Sequence, residues 1–303
     1  MPHRCGSIAI IGRPNVGKST LLNRFLGQKI ASVSPKPETT RDRLLGVLTL
    51  PEAQVLFHDT PGIYRGAKTL LAKHQVQVAR EALAEADAVL VMTDATAGLT
   101  DADRDLFRLL PKERGRSPAE TIPVFLAINK AYRARKPLIL PQIEEALRLH
   151  PFREIFPISA LTGENAAPLL KSLIAALPEG PAHFPPDQVT DRPLRALAQD
   201  LIREKVLVFT REEVPHAVAV LVEEWREGTR GKKLYVRATI YVERDSQKAI
   251  LVGKEGSVLK NVGQSARKEL EKLTGQPVFL DLWAKVAKNW RRDPVMLRRL
   301  GYG

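Results

Sequence analysis

Apolar runs alternate with segments of helical periodicity through the first 176 residues of this chain. The runs are rich in β-branched residues and read SIAIIG, LLGVLTL, QVLFHD, AVLVMTD, IPVFLAIN and EIFPIS. Between them, apolar residues recur at helical spacing in the segments 68–85, 101–110, 141–149 and 165–176. Strands that alternate with helices predict an α/β fold with a doubly wound, mostly parallel sheet and helices on both of its faces.

The pattern changes after residue 176. Residues 177–191, LPEGPAHFPPDQVTD, are rich in proline and show no periodicity, which is typical of a linker. Residues 192–303 then predict a helix, two strands, two helices around the loop GKEG, and a last strand, PVFLDLWAKV. This order predicts an α+β domain that ends in a basic tail. We therefore expect a first domain over 1–176, a linker over 177–191 and a second domain over 192–303.

The length and the charge of the chain support two domains and suggest a partner. The chain has 303 residues, which indicates two domains rather than one. Lys and Arg number 47 against 34 Asp and Glu, a net charge of +13. From Arg226 to the end, 18 basic residues stand against 8 acidic ones, which is a net charge of +10. This excess predicts a polyanionic partner, either nucleic acid or an anionic membrane face, unless it only serves solvation.

Cysteine usage and hydropathy bear on the compartment. The single cysteine, Cys5, excludes an intrachain disulfide and a cysteine-based metal cluster, and it fits a reducing cytosol. No apolar run reaches the roughly 20 residues that a membrane span needs, and the N-terminus MPHRCGSIAI lacks the layout of a signal peptide. We therefore expect a cytoplasmic protein, and a peripheral contact with the cytoplasmic membrane face stays open.

A phosphate-binding loop is indicated between Gly12 and Ser19, where GRPNVGKS matches the pattern G-x-x-x-x-G-K-[ST]. The segment directly follows the strand SIAII and opens the helix TLLNRFL, which is the context this loop requires. Its glycines let backbone N–H groups approach phosphate oxygens, while Lys18 reaches the β- and γ-phosphates and the Ser19 hydroxyl binds Mg²⁺. The residues predicted to bind the nucleotide here are Gly12, Arg13, Pro14, Asn15, Val16, Gly17, Lys18, Ser19 and Thr20.

Two further segments fit the same chemistry. DTPG, at residues 59–62, ends the run QVLFH. There Asp59 is expected to hold Mg²⁺ through water, and the N–H of Gly62 is expected to sense the γ-phosphate. Between this motif and the phosphate loop, PETTRDR offers the hydroxyl groups of Thr39 and Thr40 to the same ion.

The segments GRPNVGKSTLLN, TTRDR, DTPG, PISALTGEN and LPEGP, together with DRP and IREK after them, resemble the Era family of GTPases. The resemblance extends over essentially the whole chain. It implies binding of GTP and GDP with Mg²⁺ and hydrolysis of GTP. Ile63 follows Gly62 at the position where Ras-type enzymes place a water-orienting Gln, so we expect slow intrinsic hydrolysis that a partner stimulates.

The resemblance also implies roles for single residues. It favours Thr40 over Thr39 as the Mg²⁺ ligand and places a ligand for a monovalent cation at Asn15, so potassium-dependent hydrolysis stays open. The predicted catalytic residues are Lys18, Thr40, Asp59 and Gly62. The predicted metal ligands are Ser19, Thr40 and, through water, Asp59. Ser159 and Ala160 are expected to bring backbone N–H groups to guanine O6, and Leu161 beside them is also predicted to bind the nucleotide.

The base-reading pattern of the family, N-K-x-D, is incomplete in this chain. Asn129 and Lys130 match it at the end of VFLAI, but Tyr132 stands where the pattern has the Asp that accepts two hydrogen bonds from guanine. Such bonds contribute roughly 1.5–3 kcal/mol each. Three explanations stay open: a shifted loop that supplies another acceptor, weak guanine binding, or a specificity variant. We expect GTP, and the alternative is an RNA-binding protein with a degenerate or relaxed-specificity nucleotide site.

The loop GKEG, from Gly253 to Gly256, predicts the nucleic-acid site of the second half. Its G-x-x-G pattern between two helices, in an α-β-β-α-α-β order, resembles a type II KH domain, whose loop clamps the backbone of about four nucleotides. The predicted RNA-binding residues are Lys248, Gly253, Lys254, Glu255, Gly256, Lys260, Arg267 and Lys268. The residues predicted to line an apolar base groove are Ile250, Leu251, Val258 and Leu259.

The family resemblance implies that this domain binds single-stranded RNA near the 3′ end of small-subunit ribosomal RNA, rather than DNA, and assists assembly of the small ribosomal subunit. Three other side chains have competing interpretations. Trp283 and Trp290 are expected to pack rather than to stack on bases. His58, beside Asp59, is expected to be buried at a strand end rather than catalytic.

Overall fold

The computed structural model describes residues 3–33, 43–62, 70–111, 122–134, 136–210, 214–228 and 233–300. These residues fall into two units. The first unit contains most of the described chain up to Asp191. The second unit contains the chain from Arg192 onward, together with two short segments from earlier in the sequence.

In the described part of the first unit, six strands form one sheet. They are β1 (Arg4–Gly12), β2 (Leu44–Leu50), β3 (Ala53–Asp59), β4 (Ala88–Asp94), β5 (Val124–Asn129) and β6 (Glu154–Pro157). Their order is β2-β3-β1-β4-β5-β6, and β2 pairs antiparallel with β3 while the other pairs are parallel. Every residue of β3, β4 and β5 is buried, as expected for a sheet that is covered on both faces. The predicted doubly wound, mostly parallel sheet is confirmed.

The helices of the first unit follow the predicted order. They are α1 (Lys18–Leu26), α2 (Leu70–Ala84), α3 (Asp101–Leu109), α4 (Ile139–Leu149) and α5 (Ala166–Ala176). In a doubly wound sheet, ligands bind at the carboxyl ends of the strands. Gly12, Asp59, Asp94 and Asn129 all end strands of this sheet, so they meet at one edge.

Residues 177–191, predicted as a linker, lie against the first unit. The N–H of Val47 donates to the carbonyl of Val189 at 2.8 Å, and Phe184 packs beside Leu45, Val47 and Leu56. The side chain of Gln54 donates to the carbonyl of Phe184 at 2.8 Å and accepts from its N–H at 2.9 Å. Proline lacks an N–H and cannot sustain a strand ladder, so isolated backbone bonds and side-chain bonds together hold this segment.

The second unit contains a three-stranded sheet among its described residues. Its elements are α6 (Leu194–Phe209), α7 (Val214–Ala217), β7 (Ala219–Arg226), β8 (Leu234–Val242), α8 (Asp245–Val252), α9 (Ser257–Thr274), β9 (Val278–Val286) and α10 (Pro294–Arg299). The order is β7-β8-β9, with β7 antiparallel and β9 parallel to β8. This is the predicted α-β-β-α-α-β arrangement, with α7 and α10 as additions.

The two faces of this sheet are covered differently. Residues of α6, α8 and α9 form a continuous apolar core on one face. On the other face, Trp290 is fully buried beside Ala219 and Tyr241, and its indole N–H donates to the carbonyl of Ala217 at 2.9 Å. Within the described residues, no helix is both long enough and apolar enough to cross a bilayer.

Candidate nucleotide site and nucleic-acid groove

The predicted phosphate loop connects the end of β1 to the start of α1. Gly17 precedes the helix, and a Cβ at this position would lie 2.2 Å from the side-chain nitrogen of Asn129, so only glycine fits. Asn15 has a left-handed backbone with φ 62°. Val16 is buried, and Thr20 lies half-buried in the first turn of α1. The backbone is therefore held close to the sheet edge, as a phosphate cradle requires.

Lys18 is buried within this loop. Its ammonium group donates to the carbonyls of Gly12 at 3.0 Å and Arg13 at 3.2 Å. Burial lowers the pKa of Lys18 to about 8, although the nearby Asp59 carboxylate acts to raise it. A buried ammonium group within a glycine-rich loop is well placed to bind the β- and γ-phosphate oxygens of a nucleotide.

Two oxygen donors of the predicted magnesium site lie side by side. The Ser19 hydroxyl donates to the Asp59 carboxylate at 2.6 Å. The adjoining DTPG segment is fixed to the same loop, because a Cβ on Gly62 would lie 2.4 Å from Cγ of Pro14. Mg²⁺ prefers such oxygen ligands, and the residues present fit it. Thr40 and Thr39, the other candidate ligands, lie outside the described residues.

Arg13 makes a contact that sequence reasoning did not foresee. Its guanidinium Nε lies 3.2 and 3.0 Å from the two carboxylate oxygens of Asp103, which is fully buried. Asp103 also accepts from the backbone and hydroxyl of Thr100 at the start of α3. The predicted nucleotide contact by Arg13 is therefore limited to its backbone, since its charge is neutralised by α3. No motif marks Asp103 in the sequence.

Asn129 joins the phosphate loop to the segment at 159–161. Its side-chain NH₂ donates to the carbonyl of Val16 at 2.6 Å, and its side-chain oxygen accepts from the N–H of Ala160 at 2.9 Å. The N–H of Ser159 donates to the carbonyl of Glu164 at 3.0 Å. Guanine O6 would thus compete with Asn129 for the Ala160 N–H, which differs from the direct contact that the resemblance implied.

The 159–161 segment is also held from the side of α1. Nε of Arg24 donates to the carbonyl of Ala160 at 2.7 Å, and a terminal nitrogen of Arg24 donates to the carbonyl of Leu161. Ser159 and Ala160 are buried, whereas the Leu161 side chain is exposed. This segment is therefore rigidly placed beside Asn129.

Lys130 has a partner that the sequence analysis missed. It adopts a left-handed conformation with φ 63°, and its ammonium donates to the carboxylate of Asp94 at 2.6 Å. Burial acts to raise the pKa of Asp94, but the bonds from Lys130 and Thr96 lower it, so the net shift is downward. The available signal was the position of Asp94 at the end of AVLVMTD. The ion pair extends the Lys130 stem along the site.

Tyr132 occupies the position of the expected aspartate, on a 3₁₀ turn over Ala131–Arg133. Its side chain is 41% exposed, and the guanidinium of Arg133 lies 5.3 Å from its ring centre. Among the described residues, its hydroxyl has no hydrogen-bond partner. The turn itself carries no acid, so it offers no replacement for the carboxylate.

His58 is buried in β3, as expected. Burial and the neighbouring Arg43 charge lower its pKa to about 4, against a smaller opposing effect of Glu85. Nε of Arg43 donates to Nδ1 of His58 at 2.9 Å. A neutral imidazole held by an arginine fits a structural role for this side chain.

The G-x-x-G loop has the backbone that its glycines predict. Gly253 and Gly256 have φ of 72° and 76°, in the left-handed region, and Glu255 between them has φ 53°. A Cβ on Gly253 would lie 2.5 Å from Cγ2 of Val258. Lys254 and Glu255 project into solvent. The loop therefore presents its backbone and one cation at the start of α9.

A groove of about 350 Å³ runs from this loop between α9 and β9. It is lined by Gly256, Leu259, Lys260, Gly263, Gln264, Arg267, Leu280 and Leu282. Of the predicted contacts, Lys260 and Arg267 line it together with Gly256. Lys248 and Lys268 are exposed but do not line it.

The apolar lining of the groove differs from the predicted one. Leu251 is fully buried in the core and Val258 packs against that core, whereas Leu259 lines the groove as expected. The apolar positions come instead from β9, and their signal was the period-two alternation of PVFLDLWAKV.

Trp283 and Trp290, which were both expected to pack, differ in their burial. Trp290 is fully buried, which agrees with a packing role, but Trp283 is 55% exposed. The expected packing of Trp283 was therefore wrong, because its strand face is only partly covered.

Comparisons with known proteins match both halves of the chain. A model described as 50S ribosome-binding GTPase matches residues 7–130, and a KH domain model matches residues 213–291. GTPase Era of Geobacter metallireducens is 46% identical over 301 residues, covering 99% of this chain and 98% of that protein. GTPase Era of Aquifex aeolicus is 44% identical over 304 residues, covering 99% of each.

Two solved structures resemble the whole chain. One is Era in complex with MgGDPNP and nucleotides 1506–1542 of 16S ribosomal RNA, with a TM-score of 0.91, 44% identity and 99% coverage of both chains. The other is a variant of Aquifex aeolicus Era bound to GDP·AlF4⁻, with a TM-score of 0.90, 43% identity and the same coverage.

The fold and the two sites define a P-loop GTPase with a C-terminal KH domain. The chain belongs to the Era family of GTPases, and its enzymatic activity is hydrolysis of GTP to GDP and phosphate. This family membership does not favour the alternative of a merely RNA-binding protein with a degenerate nucleotide site.

Proposed function

We propose that this GTPase binds small-subunit ribosomal RNA through the groove beside its G-x-x-G loop and thereby assists small ribosomal subunit assembly in the cytoplasm. One observation carries the proposal: an Era structure that contains both MgGDPNP and a 16S ribosomal RNA segment matches this chain with a TM-score of 0.91. The groove has basic side chains at Lys260 and Arg267 above an apolar floor, which suits an unpaired RNA strand.

The two domains predicted from the sequence are proposed to have different functions. Residues 1–176 carry the nucleotide chemistry and residues 192–303 carry RNA binding, with 177–191 between them. Lys18 stabilises the negative charge on the transferred phosphoryl group, and the N–H of Gly62 contacts the γ-phosphate. Hydrolysis by the isolated chain is slow, because no water-orienting Gln follows Gly62.

Ser19 and Asp59 are the proposed Mg²⁺ residues, the first by direct ligation and the second through water. Their oxygens are 2.6 Å apart at the end of the phosphate loop, which supports a shared ion. When bound, Mg²⁺ neutralises charge on the β- and γ-phosphates. Thr40 is the further proposed ligand. Asn15 is the proposed contact of a potassium ion.

Substitution of Tyr132 tests whether the nucleotide site selects guanine. Equilibrium binding of GDP, ADP and XDP, each with Mg²⁺, should be measured for the native chain and for Tyr132→Asp. We expect the native chain to prefer GDP. The variant should bind GDP at least ~100-fold more tightly, because it gains a charged acceptor for two guanine hydrogen bonds of roughly 1.5–3 kcal/mol each.

Tyr132→Phe is the matched control, since it removes the hydroxyl and adds no acceptor; it should behave like the native chain. A native chain that binds the three nucleotides equally, with selectivity appearing only in Tyr132→Asp, would contradict guanine specificity.

RNA binding is tested separately, by fluorescence anisotropy with labelled 16S ribosomal RNA nucleotides 1506–1542. Saturable binding that a large excess of unlabelled duplex DNA does not displace is expected. Absence of binding at low salt would remove the ribosomal part of the proposal and leave the GTPase intact.

A further inference from the structure

Strand β9 presents two different surfaces. Leu280 and Leu282 line the groove beside α9. Phe279, Asp281 and Trp283 alternate with them and lie on the opposite face of the sheet. Phe279 and Trp283 are each 55% exposed. Aromatic side chains that are exposed together on one strand face form an apolar patch, and such patches often mark binding sites.

A hydrogen-bonded network around Asp281 lies between these exposed rings. The Asp281 carboxylate accepts from Nε of Arg237 at 3.1 Å and from the Tyr235 hydroxyl at 3.2 Å. Burial acts to raise the pKa of Asp281, but hydrogen bonds from Trp283, Arg237 and Tyr235 lower it overall. The Trp283 ring is exposed on the same strand face, two residues after Asp281.

A stacked pair continues the same surface. The rings of Tyr235 and Phe279 lie 5.7 Å apart with an interplanar angle of 11°. The guanidinium groups of Arg226 and Arg237 lie 5.5 and 5.8 Å from the Tyr235 ring centre. We call Tyr235, Phe279 and Trp283 the aromatic platform. Its rings are placed before any ligand arrives, which lowers the entropy that binding costs.

The basic excess lies in the tail that follows the platform, since on the platform's own face Arg226 and Arg237 pair with Glu224, and Lys285 lies 3.9 Å from Glu223. From Val278 to Leu300, six basic residues stand against two acidic ones. Lys285 and Lys288, which follow the platform along the chain, are both exposed. Flat aromatic rings beside a basic border are the combination that binds unpaired nucleic acid, because bases stack on the rings and cations track the phosphates.

The platform is continuous with the proposed RNA groove. β9 is the edge strand of the sheet, in the order β7-β8-β9, so no further strand of the described chain separates its two faces. A strand of RNA that leaves the groove at Leu280 and Leu282 needs only to cross this edge to reach Phe279 and Trp283.

We propose that the aromatic platform is a second contact for single-stranded RNA, on which unpaired bases outside the groove stack. This rests on the proposed RNA binding by the groove. The G-x-x-G groove accounts for about four nucleotides, and the platform binds the nucleotides that follow or precede them.

The test compares a short RNA with a longer one on the full chain. The probes are a fluorescein-labelled RNA tetramer and the same tetramer extended by about six unpaired nucleotides at either end. Trp283→Ala and Phe279→Ala should each weaken binding of an extended RNA by roughly 5- to 150-fold, as expected for one lost stacking contact. Binding of the tetramer should not change.

Three controls separate stacking from misfolding. Trp283→Phe keeps a ring and should retain most of the affinity. Phe209→Ala removes an exposed aromatic side chain of α6, away from the platform, and should have no effect. Tryptophan emission should be quenched by the extended RNA in the native chain and much less in Trp283→Phe.

The outcomes are distinct. If the native chain binds the tetramer and Trp283→Ala binds extended RNA as tightly as the native chain does, the platform is refuted and the groove stands. If neither RNA binds, the proposed RNA function itself fails. If Trp283→Ala changes self-association in sedimentation velocity and leaves RNA affinity unchanged, the face is a protein contact and the proposal is overturned.

Discussion

At the scale of single residues, Asn129 organises the nucleotide site. Its amide bridges Val16 and Ala160, which are 113 and 31 positions away in the sequence. The guanidinium of Arg133 lies over the ring of Tyr132, three residues after Asn129. The side-chain amide of Asn129 therefore holds the predicted base-binding segments together. The exposed phenol of Tyr132 stands where the family pattern has the aspartate that selects guanine.

Lys18 should make nucleotide binding pH-dependent above neutrality. Its pKa in the free protein is lowered by burial to about 8, and bound phosphates would raise it. The bound pKa thus exceeds the free pKa, so GDP binding takes up a proton above pH 8 and affinity falls there by up to about tenfold per pH unit. Calorimetry in buffers of different ionisation enthalpy, at about pH 7 and about pH 9, measures this uptake.

Lys18→Arg is the matched variant, because a guanidinium stays protonated throughout this range. It should show no proton uptake at either pH, even if its affinity is lower. Equal uptake in the variant and the native chain would mean that another group titrates.

At the scale of elements, the G-x-x-G loop depends unequally on its two glycines. Both have positive φ, which costs an alanine about 1–2 kcal/mol. A Cβ on Gly253 would also meet Val258 at 2.5 Å, whereas a Cβ on Gly256 would meet nothing within 4 Å. Gly253→Ala should therefore lower the free energy of unfolding by about 1–3 kcal/mol more than Gly256→Ala, as measured by urea denaturation.

The double variant Gly253→Ala/Val258→Ala isolates the steric part. It should be less destabilised than the sum of the two single variants, because the methyl groups that clash are removed. Additive effects would show that the contact with Val258 is unimportant.

Elements with long periodic patterns were predicted well, and short ones were not. The strands and helices of the first unit lie where the sequence placed them. α7 and α10 were missed, since four and six residues carry too little periodicity. α10 does have a local signal, because the Asp293 carboxylate accepts from the N–H of Val295 at 2.9 Å and Pro294 opens the helix.

At the scale of the whole molecule, the positive charge of the second unit should act in two ways. Every cation contributes to the long-range field, and we expect the cations that line the groove to contact phosphates directly. Lys260 lines the groove and Lys268, eight residues further along α9, does not. Lys260→Ala should reduce the slope of log affinity against log salt by about 0.7 for single-stranded RNA, the value expected for one phosphate contact.

Lys268→Ala is the control, since it removes the same charge from the same helix. Its salt slope should match that of the native chain. The measurement is RNA anisotropy between about 50 and 200 mM salt. Equal changes in both variants would indicate that net charge, rather than the groove, determines binding.

The sequence alone determined the fold class and the motifs whose residues are contiguous. The phosphate loop, DTPG and the G-x-x-G loop depend on short-range backbone geometry, which a few neighbouring residues specify. Tertiary structure decided which distant groups meet. It brought Asp94 to Lys130 and Asp103 to Arg13, and although Asp94 stands at a strand end, no local pattern shows which residue each carboxylate meets.

Tertiary structure also decided the roles of the two late tryptophans. One face of the strand VFLDLWAKV is uniformly apolar, whereas the other mixes Phe279 and Trp283 with Asp281 and Lys285, so the pattern does not show whether that second face is covered. The tail that contains Trp290 packs over one end of the outer face and buries that ring, while Trp283 stays exposed beyond it. Burial is a property of what lies opposite a side chain, and only the packed chain supplies that neighbour.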